Sequence, residues 1–578
     1  MTMNKQILKF MIIISPLLFL AGCGDDEDDI KPAPSLSVSG APVSALPGEA
    51  ISFSVAVTAP NGGDKLNALV GTASIASIDL GGETSSTQTV NYTIPSGAVI
   101  GSTVVITLQA TDKKNLPSQL ANVSIQVNDP VITLQGNLTT QTLDATKRYL
   151  LKGQVFIPNG VTVTVPAGTV ILGEKASKAT LIVEKGGVLN CNGTAAAPVV
   201  MTSAQDVGER DKGDWGGLVI LGRAFTNQNT SADDAGSPPI EGITPAKYFG
   251  SNVRTNDTES SGTYKYLRVE YAGIELTPNN ETNSITMGGV GSGTTMEYCM
   301  VSFGGDDGFE WFGGAVNGKY FVSLSTWDDD FDGDFGWSGK VQFGLIVRNP
   351  FAADQSQSNA FEIDNGPNDN DTGVGTYTTG TFSNVTVYGP RDHASRSLSA
   401  NNVHGMDLRR RVAASIFNSV VTGFPTGLRF NQASVQSNYD NGLGVLAHNV
   451  LVANTSYAAG SGVTASGAAG SSTVQGYWER SGSGNTTLAT PASGDETAFW
   501  EGLGLRVNNF FARYQTATYP ANPDFTILGT GTLATGADFD HDKLDDAFFT
   551  ETTYKGAFGT ATDWTDGWAE FRPIQKVY

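Results

Sequence analysis

Cysteine is scarce in this chain: three in 578 residues. Cys191 and Cys299 each sit inside an apolar, strand-like run, with no metal-ligand or nucleophile spacing around them. They read as small buried hydrophobes rather than a disulfide or a zinc site. Positive charge is also short, with 35 Lys and Arg against 57 Asp and Glu and a net charge of −22. That balance excludes nucleic acid as a partner, because phosphate binding needs a basic face. Beyond the first 22 residues the sequence has no run of about 18 apolar residues, so no membrane-spanning helix is expected. What is plentiful is glycine, 69 residues, with only 16% of the chain charged. That profile suits an all-β extracellular protein better than a helical cytosolic enzyme, and the length allows more than one domain and a sizeable core.

Residues 1–22 read as a lipoprotein signal peptide. Lys5 and Lys9 precede the apolar run "FMIIISPLLFLAG", which is too short and too early to span a membrane. The run ends in "LAGC", Leu20 to Cys23, the pattern of a bacterial lipobox, which makes Cys23 the lipidated first residue and the lipid its anchor in a membrane. Residues 23–34 continue as "CGDDEDDIKPAP", an acidic, proline-containing tether. An acidic patch directly after the cysteine resembles the surface-export signal of Bacteroidota lipoproteins. The resemblance implies an outer-membrane location facing the cell exterior, with an outer-membrane transporter as a candidate partner.

Residues 35–129 alternate in period two, as in "ISFSVAV" and "STVVITLQATD", between turns such as "LPGE" and "NGGD". They predict a small immunoglobulin- or cadherin-like β-sandwich serving as a spacer. Residues 130–499 change texture to short apolar strands broken by Gly, Asn and Pro, and predict a right-handed parallel β-helix. Within it, residues 453–495 are rich in Gly, Ser and Ala and read as a long loop or a loosely ordered edge. Residues 500–578 regain aromatic content and read as a cap over the open end of the helix.

The coils can be set in register by hand. The triplets "ITM" (285–287), "FEW" (309–311), "FGW" (335–337), "FEI" (361–363), "MDL" (406–408) and "LRF" (428–430) recur as apolar–x–apolar. Strand alternation points their outer residues inward and aligns the middle ones on the surface: Thr286, Glu310, Gly336, Glu362, Asp407 and Arg429. Asp306, Asp307, Asp328, Asp329, Asp330, Asp332 and Asp334 then crowd two neighbouring corners, with Lys319 the one basic residue between Asp306 and Asp334. Oxygen-rich clusters of this kind suit Ca2+. The alternative is a solvated edge whose carboxylates cap backbone N–H groups. "DFDHDKLDDAFF" (538–549) alternates like a calcium loop but lacks its Gly and Glu.

The stretches "GDWGGLVILGRA" (213–224), "TMGGVGSGTTMEY" (286–298), "GGDDGFEWFGG" (304–314), "DDDFDGDFGWSGKVQF" (328–343) and "YKGAFGTATDWTDGWAEF" (554–571) together resemble a family of pectin-lyase-like, β-helical surface lipoproteins common in Bacteroidota. The resemblance spans roughly residues 130 to 578. It implies the fold and the location and leaves the activity to the residues.

Arg391, His393, His404, Asp407 and Arg409 cluster in the insertion 389–411, with Arg429 on the next coil. With Glu310, Trp327, Glu362 and Asp364 they are the candidate ligand-binding or catalytic groups. The expected function is binding of an extracellular ligand, a glycan, through one face of the β-helix. The alternatives are a Ca2+-assisted polysaccharide lyase or glycoside hydrolase acting on an acidic polysaccharide, and a structural or adhesive surface protein. Lyases of this fold pair Ca2+ with an Arg or Lys base, and the "GGDD" and "HG" stretches resemble β-helical galacturonidases. The arginines can equally neutralise Glu362, Asp364 and Asp407 across coils.

Overall fold

The computed structural model describes residues 30–128, 131–277, 280–366 and 376–578, so Cys23 lies outside the described residues. The described residues 30–128 form one compact unit and those from Val131 on a second. The first is a sandwich of a three-stranded and a five-stranded sheet. Its strand Ala50–Thr58 buries alternate residues, as period-two patterning requires, with Phe53, Val55 and Val57 inside.

The second unit is a parallel β-helix. Twenty-four strands join one continuous sheet system, and successive coils pair in parallel. The strands that carry the site are β1 (Ile285–Gly288), β2 (Phe309–Phe312), β3 (Phe331–Asp334), β4 (Phe361–Ile363), β5 (His404–Leu408) and β6 (Val420–Gln432). Ile285 pairs with Phe309, Phe331 with Phe361, Phe361 with Met406, and Met406 with Leu428. Their side chains stack in the core.

One coil departs from the expected register. Phe309 pairs with Phe331, so the third triplet is Phe331-Asp332-Gly333 and not Phe335-Gly336-Trp337. Gly333 leaves its inward position bare, and the Trp337 ring fills it from the following turn, 4.8 Å from the Trp311 ring. Phe335 turns outward at φ +52° and packs beside Phe249 and Phe312. Asp332, not Gly336, therefore stands in the surface column.

Two further expectations are corrected. Residues 453–495 are not loop throughout: strand Val450–Ser461 pairs along β6, strand Thr486–Ala489 pairs with it, and the short helix α2 (Val474–Trp478) lies between them. Helix α1 (Ala433–Asp440) and α2 close this end of the coil stack, with Tyr439 stacked on Phe430 at 4.8 Å and Trp478 buried. The small residues permit close backbone approach, as at Gly460 against Asn431. Residues 500–578 are not an end cap but a cover along one flank. The strands there carry apolar outward residues, Met300, Val322, Leu345 and Tyr388, and Phe510, Tyr519, Phe525 and Trp568 bury them. Arg210 ties this cover down through Pro573 O (3.0 Å), and Arg268 through Trp568 O (3.1 Å).

Candidate functional site

The corrected register turns the scattered acidic residues into a ladder. Each rung has a leading position, before the strand or at its first residue, and, three residues on, a strand position. Along successive coils these are Asn283 and Thr286, Asp307 and Glu310, Asp329 and Asp332, Asn359 and Glu362, then His404 and Asp407. Arg429 follows Asp407 on β6. Parallel stacking holds equivalent side chains about 4.8 Å apart whether or not their charges agree, because the apolar residues beneath dictate the register.

Carboxylate oxygens meet here in three groups of three, each within 4.8 Å: Asp306, Asp307 and Asp328; Asp307, Glu310 and Asp332; Asp329, Asp332 and Glu362. These buried acidic groups can hold a metal ion. At such separations two charges repel by on the order of 3 kcal/mol even at an effective dielectric near 20. Burial raises the carboxyls of Glu310, Asp307, Asp329 and Asp332 well above the ordinary range, and their neighbours' charges add to it. Asp328 is pushed up to about 7 by burial despite a hydrogen bond from Ser356 (2.7 Å). Few local donors compensate: Asp307 accepts the Asp329 N–H at 2.8 Å, Glu310 accepts from Asn283, and the inaccessible Asp332 Oδ1 accepts nothing among the described residues.

The far rungs are neutralised. Glu362 is paired with Arg409, Asp364 with Arg410 (2.6 Å) and Arg409 (3.2 Å), and Asp407 with Arg429 through both guanidinium nitrogens that face it. His404 bonds Asn359 at 3.0 Å, and burial pushes it down to about 4, so it is neutral above that pH.

Several sequence candidates fall elsewhere. Asp330 turns away from the ladder to Ser323 (2.6 Å), Thr326 (2.8 Å) and the fully buried Arg348 (3.2 Å). It is a structural ion pair, since an inward carboxylate in a packed coil requires a partner. Asp334 belongs to none of the three groups; it caps the Phe335 N–H (2.7 Å), and burial pushes it up to about 6. Arg391 and His393 are not on the ladder either. Arg391 holds the Ala394 carbonyl, and His393 lies 3.8 Å from Asp392, whose carboxylate also takes Arg396 and Arg513 from the flank cover. That hub is anchorage rather than chemistry. The Asp538 turn lies 3.8 Å from His448 and contributes to no group of three carboxylates among the described residues.

Trp327 lines a cleft of about 750 Å³ together with Asp306, Asp328, Asp354, Lys175 and Lys212. The Lys212 ammonium sits 3.6 Å over its ring, so one indole face is already taken by a cation. Arg348, Asn283 and Asn359 escaped the sequence reading. The two asparagines become visible once the ladder is in register, whereas Arg348 simply follows an apolar strand and carries no local signal.

Residues 136–501, over half the chain, match a family model described as a pectate-lyase like beta helix domain. No curated protein matches the chain. Among solved structures, the catalytic unit of a thermostable GH87 alpha-1,3-glucanase from Streptomyces thermodiastaticus strain HF3-3 aligns at 10% identity. The alignment covers 71% of this chain and 79% of that one, with a TM-score of 0.22, too slight a likeness to build on.

Proposed function

This chain belongs to the pectate-lyase-like β-helix domain family, and from that premise we propose that it is a surface lipoprotein that binds an extracellular glycan across the carboxylate ladder with Ca2+ in place. Cys23 anchors it in the outer membrane, facing the exterior, where an outer-membrane transporter is the candidate receiver of the ligand. The observation that carries the reading is the run of carboxylates on and just before β2 and β3, Asp306, Asp307, Glu310, Asp328, Asp329 and Asp332, none of them in an ion pair among the described residues; Asp306 and Asp328 line the cleft with an indole and two ammonium groups. Hard oxygen ligands favour Ca2+ over softer-binding metals, and a glycan hydroxyl or carboxylate can complete the ion's coordination. Printed glycans probed in CaCl2 should retain the protein, EDTA should release it, and Asp332→Asn should abolish retention. A panel on which nothing is retained under any condition contradicts the proposal.

One observation favours a second reading, glycoside hydrolysis. Carboxyls that burial and like charge raise well above the ordinary range (Glu310, Asp332) stand next to carboxylates in ion pairs with arginines (Glu362, Asp407), the divided environment that acid–base catalysis uses. A lyase with Arg409 as base is disfavoured. Burial opposes its charge, but Glu362, Asp364 and Asp407 override that and hold the proton more firmly. New reducing ends released from a retained glycan would establish hydrolysis, and a rise at 235 nm would instead revive the lyase.

A further inference from the structure

The second and third carboxylate groups are copies of one another. Moving one coil along the helix takes Asp307 to Asp329, Glu310 to Asp332, and Asp332 to Glu362. That single translation converts the group Asp307, Glu310, Asp332 into the group Asp329, Asp332, Glu362. Asp332 belongs to both, as the strand residue of one and the next-coil residue of the other. The first group, Asp306 with Asp307 and Asp328, lacks this relation and faces the cleft.

We infer that the ladder binds two divalent cations one coil apart, in two equivalent carboxylate sites bridged by Asp332. The inference rests on the cation in the proposed function and adds the number, positions and shared ligand of the ions. Three observations beyond the acidity support it. The Asp332 Oδ1 atom is inaccessible and accepts no hydrogen bond among the described residues, although two groups converge on that side chain. Asp307, Glu310 and Asp329 are 7%, 8% and 3% exposed, so water does not solvate their charge freely. A small cavity of about 80 Å³, lined by Asp306, Asp307, Glu310, Asn283 and Thr286, adjoins the first of the paired sites. It has room for an ion with one or two waters.

Charge favours two ions over one once cations displace the carboxyl protons. The two sites contain five carboxylates, and Arg409 on Glu362 is the basic partner within them. With all five ionised, two divalent ions and that arginine bring the set to neutrality, whereas one ion leaves two negative charges unneutralised. The sites are not equal in strength. Glu362 already receives Arg409 on one oxygen and the Asn359 amide (2.9 Å) on the other, while Glu310 has one amide donor, Asn283. The Glu310 site should therefore fill first.

The test is a metal count on the full-length protein, stripped with EDTA and titrated with Mn2+ alone, read by calorimetry and by electron paramagnetic resonance. Two ions should bind in separable steps, and their spectra should show the coupling of spins about one strand spacing, ~4.8 Å, apart. Glu362→Gln should keep one ion and lose the coupling, Glu310→Gln should lose the tighter step, and Asp332→Asn should lose both. Asp328→Asn, outside the pair, should leave the coupled pair in place. A single uncoupled ion in the wild-type protein overturns the pairing while leaving the cation-dependent face standing. No bound ion overturns both. The wild-type count is decisive even if a variant fails to fold.

Discussion

Asp332 concentrates the electrostatic difficulty of this protein in one side chain. It sits between Glu310 and Glu362 on the neighbouring coils, and burial and both those charges raise its carboxyl well above the ordinary range. Asp328 and Asp334, pushed up to about 7 and about 6, share the condition. A carboxyl whose folded pKa exceeds its unfolded value binds more protons in the native state at intermediate pH. Stability contributed this way is therefore present below about 4 and lost as pH rises. In EDTA the melting temperature of the β-helix should fall between pH 4 and pH 7, and Ca2+ should reverse the fall at the upper end. At 100-fold excess over the dissociation constant, each site adds about 2.7 kcal/mol. A melting temperature that climbs through this window in EDTA, or ignores Ca2+ at pH 7, would count against a strained, cation-requiring ladder.

The coil strands supply the geometry, and their register rests on apolar fit. Trp337 fills the inward space that Gly333 leaves on β3, while Phe335 packs outside with Phe249 and Phe312. Trp337→Ala should cost about 3–5 kcal/mol, and Phe335→Ala clearly less; equal losses in thermal or denaturant unfolding would contradict this packing. The same coil shows what the sequence made legible. Apolar–x–apolar spacing located five of the six site triplets, because inward stacking repeats openly in the residues. It failed at the sixth because a tryptophan four residues later imitates the motif while a glycine occupies the true position. The acidic corners were likewise visible as composition, but their division into translation-related groups depended on that register. Asp330 could not be told from its neighbours in sequence, since its partner Arg348 comes from the following strand, Lys340–Val347, and the turn after it. The flank cover was misplaced because its aromatic content predicts burial without saying on which surface.

At the scale of the whole molecule, the acidic balance is unevenly spent. Arginines close one end of the ladder and form no ion pair at the other among the described residues, so under the proposed function binding should be governed by divalent cation before ionic strength. The lipid anchor of the proposed function has its own test: Cys23→Ser should move the protein from the membrane to the soluble fraction, and continued membrane retention would remove the anchor from the proposal. The central claim is that the carboxylate ladder is a cation-loaded binding face. The most direct measurement is anomalous diffraction at the manganese edge from crystals grown in MnCl2. Peaks are expected among Asp307, Glu310 and Asp332 and among Asp329, Asp332 and Glu362; a ladder with no anomalous peak, its carboxyls satisfied by protons and water alone, would contradict a cation-loaded face.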